Sequence, residues 1–373
     1  MSKKLKILAV VLSIVIMSVM AAGCQNNQGG TTDTATPPAN TNEDTPATTD
    51  TDTTQVGGKI AVLRNMTNSD HTAQFFAGCI SEGEAFGYKV DTFMSDGDDV
   101  KMQDLMEQAL NQDYDIWIVS HANEGYQYDL VSRAVDKGIK VTGFDCAGEH
   151  VPGVTYTSQD DKSLASISLD AMIEKAQENG AELPVKFIEV NILGMILPFD
   201  IRHSVIEEYI DAGKLESLQT VSPNPAGDIY TDCYNAISAA MKTYGEGEIY
   251  GIWAASSFFL DGVVDALNDA NRNDVAITAV DISDTEIQRL INVSDYYCCA
   301  AVDPYVIGLV NVRAGVSKVL GLDTPEILNF PAVGIFAAQL NANDTMATLY
   351  NYFPDFGSSD LLLTPELEKA KVK

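Results

Sequence analysis

From Lys59 onward, short apolar runs alternate with amphipathic stretches of a dozen or more residues, and few folds accept that rhythm. The runs are Lys59 to Leu63, Lys89 to Phe93, Ile116 to Val119, Lys140 to Phe144, Val185 to Val190, Glu248 to Ala254, Ala276 to Val280 and Tyr297 to Val302. Most are continuously apolar and β-branched rather than alternating, which marks strands buried on both faces of a parallel sheet. Helices are expected between them. Phe76, Ile80, Gly83 and Phe86 recur at helical spacing in the first gap, as do Tyr128, Val131 and Val135 in the third, before Lys137 and Gly138 close that helix. The class is α/β, and eight strands over this length exceed one ordinary sheet, so two such units are expected.

The chain before Lys59 has a different character. Lys3, Lys4 and Lys6 precede an apolar run from Ile7 to Met20, and Ala21, Ala22 and Gly23 supply small residues directly before Cys24. This predicts a secretory signal over 1–23, too short with its processing site to remain as a membrane span. Small residues abutting a cysteine resemble a bacterial lipobox, which implies lipidation of Cys24 and anchoring at the outer face of the cell membrane. Residues 25–58 contain eleven Thr, three Pro and five acids with no Lys or Arg. Such a segment buries too little apolar surface to offset its ordering entropy, so it reads as a tether with a reach of roughly 30 Å.

Of 373 residues, 23 are Lys or Arg and 53 are Asp or Glu, a formal charge of −30, which leaves few cations to neutralise the phosphates of a nucleic acid. No G-x-S-x-G, H-E-x-x-H, P-loop or G-x-G-x-x-G motif occurs, so neither catalysis nor a cofactor is expected. His203 and Glu207, at i,i+4, are too few to make a metal site, and Asp96, Asp98 and Asp99 lack calcium-loop spacing. Apart from Cys24 there are five cysteines, an odd number, and adjacent Cys298 and Cys299 point to opposite faces of a strand, so buried free thiols are expected.

Ligands of parallel sheets bind beyond the carboxyl ends of the strands. The polar and aromatic residues there include Arg64 and Asn65, His71, Ser120 and His121, Asp145 and Cys146, Asp200 and Arg202, Trp253 to Ser257, and Asp281. Phe75 adds an aromatic at the opening of the first helix. The mixture suits a small polar molecule with apolar faces.

The order Lys59-Ile60-Ala61-Val62-Leu63, a polar turn, a helix with Gly78 and Glu84 to Tyr88, then Asp91, Asp115 to Ser120 and Gly138 to Asp145 resembles the ribose-type periplasmic binding proteins. The likeness continues through Ala276 to Asp281 and Ala300 to Pro304 as far as Gly308. It implies two Rossmann-like lobes joined by a three-crossing hinge near Tyr156, Val302 and Asn329, closing on a solute. The lobes it implies are 59–156 with 303–329, and 157–302 with 330–345, followed by a C-terminal tail over 346–373. It further implies that Asp145 and Asp281, one from each lobe, accept hydrogen bonds from sugar hydroxyls. The ligand-binding set so expected is Asn65, His71, Phe75, Ser120, His121, Asp145, Asp200, Arg202, Ser256, Asp281 and Asp303. The implied role is delivery of a sugar-like solute, as a monomer, to an ABC permease in the membrane. A polyol, modified sugar or nucleoside-like ligand stays open, as does a receptor that presents its bound state to a sensor kinase.

Overall fold

A computed structural model describes residues 56–372. The strands are β1 (Gly58–Arg64), β2 (Tyr88–Met94), β3 (Ile116–Ser120), β4 (Lys140–Phe144), β5 (Thr155–Gln159), β6 (Val185–Val190), β7 (Leu215–Val221), β8 (Gly251–Ala254), β9 (Ala276–Val280), β10 (Tyr296–Ala301), β11 (Ile327–Phe330) and β12 (Val333–Phe336). The helices are α1 (Asp70–Ala85), α2 (Asp99–Leu110), α3 (Glu124–Asp136), α4 (Asp161–Glu178), α5 (Leu197–Asp211), α6 (Ile229–Thr243), α7 (Leu260–Ala270), α8 (Asp284–Asn292), α9 (Pro304–Val319) and α10 (Pro365–Ala370).

The strands form two six-stranded sheets, ordered β11-β5-β4-β3-β1-β2 and β12-β10-β9-β8-β6-β7. Every pairing is parallel except that of β12 with β10. Central strands β3, β8 and β9 are buried along their whole length, as their unbroken apolar runs require. Four strands escape the pattern reading: β5, β7, β11 and β12. β5 (Thr-Tyr-Thr-Ser-Gln) and β7 (Leu-Glu-Ser-Leu-Gln-Thr-Val) are largely polar in sequence, because they carry hydrogen-bonding side chains or lie at a sheet edge.

The helix faces also differ from expectation. α1 buries Phe75, Cys79, Glu82 and Gly83, one residue out of step with the Phe76 and Ile80 stripe. α3 buries Tyr126, Leu130 and Val131, while Tyr128 is exposed. α1 is held close to α9 by two glycines: a Cβ on Gly78 would lie 2.0 Å from Tyr305 O, and one on Gly308 2.4 Å from Phe75 O. Only a residue without a side chain permits that approach.

The chain passes between the sheets from Gln159 to Asp161, from Ala301 to Pro304 and from Phe330 to Val333. The first passage is later than Tyr156, which is held inside β5 by pairing with Gly143 and Ile327. Residues 346–372 pack rather than trail. Leu349 and Phe356 are buried in the core of the second sheet, whereas Leu367 lies in the core of the first. Arg313 donates to the carbonyls of Ser359 and Leu361, and Val372 N donates to Ala85 O at 2.8 Å. This segment is therefore a strap across both units. Among the described residues, no helix is long and apolar enough to cross a membrane. All five described cysteines are unpaired and buried. Cys24, the signal and most of the tether lie outside the described residues.

Candidate functional site

The carboxyl ends of the two sheets face each other across a cleft, and the chain turns sharply where it leaves the strands. His121, Asp145 and Asp281 have φ of 59°, 48° and 78°. Each first extends its sheet by one backbone bond, to Phe144 O, Thr157 O and Ala300 O respectively. Asp and His are among the non-glycine residues that tolerate left-handed φ, and here it turns the chain immediately after the last sheet bond.

A cavity of about 30 Å³ lies between the sheets, lined on one side by Arg64, His71 and His121 and on the other by Phe199, Arg202, Ser256, Phe258 and Asp281. Arg64 ends β1, stacks over Phe75 with its guanidinium carbon 4.7 Å from the ring centroid, and donates to Thr72 Oγ1 (3.1 Å), Ser120 Oγ (2.8 Å) and His71 Nδ1 (3.0 Å). All three partners are neutral acceptors. Burial lowers the Arg64 pKa to about 10, opposed by Asp145 and other acidic groups. Burial also lowers His71 to about 4, with Asp281 opposing and Arg64 reinforcing the shift, so His71 is a neutral imidazole at pH 7.

Ser120 Oγ accepts from Arg64 and shares a hydrogen bond of 2.7 Å with His121 Nδ1. His121 Nε2 lies 3.7 Å from Asp145 Oδ2, too far for a hydrogen bond. Burial, then Arg64, hold His121 well below its ordinary pKa. Asp145 Oδ1 accepts from Gln159 N at 3.3 Å, but its buried Oδ2 has no partner. Burial first, and the nearby Asp161 second, push the Asp145 carboxyl well above the usual range.

On the opposite side, Arg202 donates through Nε and Nη2 to Asp161 Oδ1, both at 2.8 Å, and through Nη1 to Ala255 O at 2.6 Å. Burial disfavours its charge, yet Asp161 and Asp281 outweigh that and raise its pKa. Ser256 Oγ donates to Asp281 Oδ2. Phe199 and Phe258 stack with centroids 6.2 Å apart, supplying an apolar wall.

The structure thus brings His71, His121, Arg202, Ser256 and Asp281 to the cavity, with Ser120 bonded behind Arg64 and Asp145 just beyond Gln159. Four expected residues sit elsewhere. Phe75 is wholly buried core and reaches the cleft only as the support of Arg64. Asn65 is occupied by Asp99, Tyr126, the His121 carbonyl and Ser95, tying loops together behind the site. Asp200 accepts from Gly194 N at 2.8 Å on an exposed turn. Asp303 caps α9 and accepts from Gly357 N. Its strand-end position serves the strap. His203 is turned to buried Glu189 at 2.9 Å. The residues missed are Gln159, Asp161, Phe199, Phe258 and the role of Arg64. Gln159 and Asp161 flank the end of β5, a strand without an apolar run to announce it.

Two doubly wound units with facing strand ends, linked three times, define a cleft-binding protein. The comparisons narrow this class: residues 60–321 match the family model of the periplasmic binding protein domain. A structure described as a sugar ABC transporter from Yersinia enterocolitica is 32% identical, with TM-score 0.77, covering 84% of this chain and 94% of that one. The 5-methylthioribose transporter solute-binding protein of Thermotoga lettingae, in complex with 5-methylthioribose, is 23% identical with TM-score 0.76, covering 84% and 98%. A carbohydrate transporter solute-binding protein from Agrobacterium radiobacter, in complex with D-arabinose, shares the fold at 16% identity, TM-score 0.67, over 78% and 97%. No curated protein sequence matches. The chain belongs to the periplasmic binding protein family and is a solute-binding protein rather than an enzyme.

Proposed function

We propose that this chain is an extracytoplasmic receptor of an ABC importer, anchored by lipid on Cys24, that binds a sugar or a similarly hydroxylated small molecule and hands it to a membrane permease. The observation that carries this reading is the meeting of hydrogen-bonding groups from opposite sheets around one cavity: Arg64 and the His121 ring from the first, Asp281 and Arg202 from the second. A hydroxyl both donates and accepts, so a molecule with several of them bonds both sides at once and couples binding to closure. Phe199 and Phe258 offer the C–H face of a ring its apolar contact. A ring enters by parting the Arg64–His71 contact and replacing each bond with one of its own. The Yersinia and Thermotoga relatives, by what they are described as transporting or binding, support the same reading.

Titration calorimetry against D-ribose, D-arabinose, D-galactose and their polyols tests it, with small-angle scattering on the saturated protein. Binding by at least one probe with a smaller radius of gyration is expected. No heat with any sugar or polyol would overturn the reading. Replacing Cys24 with Ser should release the protein from the membrane fraction, and a mutant still partitioning with detergent would remove the anchor.

A further inference from the structure

Away from the three passages and the strap, two hydrogen bonds join the units among the described residues. Thr285 Oγ1 donates to Asp70 Oδ2 at 3.2 Å, and Gln74 Nε2 donates to Ile282 O at 3.4 Å. Asp70 and Gln74 are four residues apart on α1 and so share a face, while Ile282 and Thr285 lie on either side of Ser283, the N-cap of α8. The seam runs beside the cavity without entering it. His71, next to Asp70, and Asp281, next to Ile282, line the cavity from opposite sides, whereas Asp70 and Gln74 do not line it.

Charge favours this meeting. Asp70 stands in the first turn of α1, and its Oδ2 meets the first turn of α8, so one carboxylate serves the positive ends of two helices from opposite units. The acids of α8 itself are engaged elsewhere: Asp284 Oδ1 accepts from Met346 N at 2.7 Å, and Glu286 Oε1 accepts from Arg289 at 2.6 Å. Burial lowers the Arg289 pKa, with Tyr296 and then Asp70 opposing, so the Asp70 charge is felt across the cleft.

Resting on the closure reading above, we propose that Asp70 and Gln74 form a latch with the start of α8 that keeps part of the solute-free protein closed, and thereby set solute affinity without touching the solute. A contact between the units that needs no solute stabilises the closed form whether or not the cavity is filled. The apparent dissociation constant is the intrinsic one divided by the closed fraction, so every loss of closed population weakens binding in proportion. Both bonds are long, and Asp70 and Thr285 are exposed. The latch is therefore weak and leaves an open fraction through which solute enters.

The test is a pulsed spin–spin distance measurement on the full chain carrying Cys24→Ser, with nitroxides on Val100→Cys and Tyr230→Cys. These positions are 68% and 44% exposed, on helices that follow the edge strands β2 and β7, and the five described native cysteines are buried. Without sugar, the parent should show a short and a long distance. Asp70→Ala with Gln74→Ala should lower the ratio of short to long about ten-fold, the scale of two modest hydrogen bonds. The same pair should weaken binding of D-ribose, D-arabinose or D-galactose by no more than that factor, and saturating sugar should restore the short distance. If the double variant fails to fold by its melting curve, Thr285→Val removes the Asp70 bond from the other unit and should move the distances in the same direction by about three-fold. A parent with only the long distance, or distances unmoved by these variants, overturns the latch and leaves solute binding standing. Loss of the short distance with affinity unchanged or tighter likewise overturns it, because the closed form would then not be the one that binds. Loss of the short distance in a protein that binds no sugar or polyol supports the latch and overturns the sugar reading alone.

Discussion

Arg64 and Arg202 are both fully buried, both approach an aromatic ring, and both face the same cavity from opposite sheets. They differ in what holds them. Arg202 is matched by Asp161 and a backbone carbonyl, and its pKa is raised. Arg64 bonds only Thr72, Ser120 and His71, and its pKa falls to about 10. A buried cation with a dedicated carboxylate is part of the framework. One satisfied by neutral groups retains charge that an incoming acceptor can use. The cleft therefore has a settled side and an unsettled side, and the unsettled one is where a solute gains most.

The sharpest way to break this comparison is Arg202→Met. It strands Asp161 in the interior, and removing one member of a buried pair costs about 3 to 5 kcal/mol, read by urea denaturation. Adding Asp161→Leu should restore most of the loss. A single variant as stable as the parent would end the distinction.

Arg64→Met comes next. It deletes bonds to neutral partners, each worth about 0.5 to 1.5 kcal/mol net or somewhat more for a charged donor, so about 2 kcal/mol is expected in the same assay. Solute affinity should fall disproportionately, because the freely usable charge has gone. A stability loss matching that of Arg202→Met would mean both arginines are structural.

The smallest effect sharpens rather than breaks the contrast. Asp145 has a folded pKa above its unfolded value, so its favourable contribution is complete below the unfolded aspartate pKa and is lost as pH rises through the folded one. Asp145→Asn removes that loss. The variant should melt higher than the parent at pH 7, and the difference should vanish as pH falls toward the ordinary carboxylate range near 4. It should also bind more weakly a solute that reaches Asp145. A variant less stable at pH 7 would show that the charged form is already well compensated.

Much of this was legible in the residues. Apolar β-branched runs announced the central strands, and position after a strand end singled out Asp145, Asp281, His121 and Arg202. Such position cannot distinguish a side chain aimed into the cleft from one recruited by its own loop. Asn65, Asp200 and Asp303 look alike in sequence and are all consumed by hydrogen bonds that hold loops, a helix start or the strap. Phe75 was misplaced because a helix register one residue off exchanges the packed and half-packed faces. Gln159 and Asp161 were missed because β5 is polar, its side chains bonded to Gln127, Thr324 and Asn311.

The strap limits how far the cleft can open. It leaves the second core at Phe356 and is fixed to the first unit from Ser359 by Arg313, with Gly357 bonded to Asp303 between them. Three residue steps span at most about 11 Å when fully drawn out. A short leash of this kind tolerates rotation about an axis through its own position and little else. The pivot for opening must therefore pass close to Gly357, and the lever arm from there to the far rim sets how wide the mouth can gape.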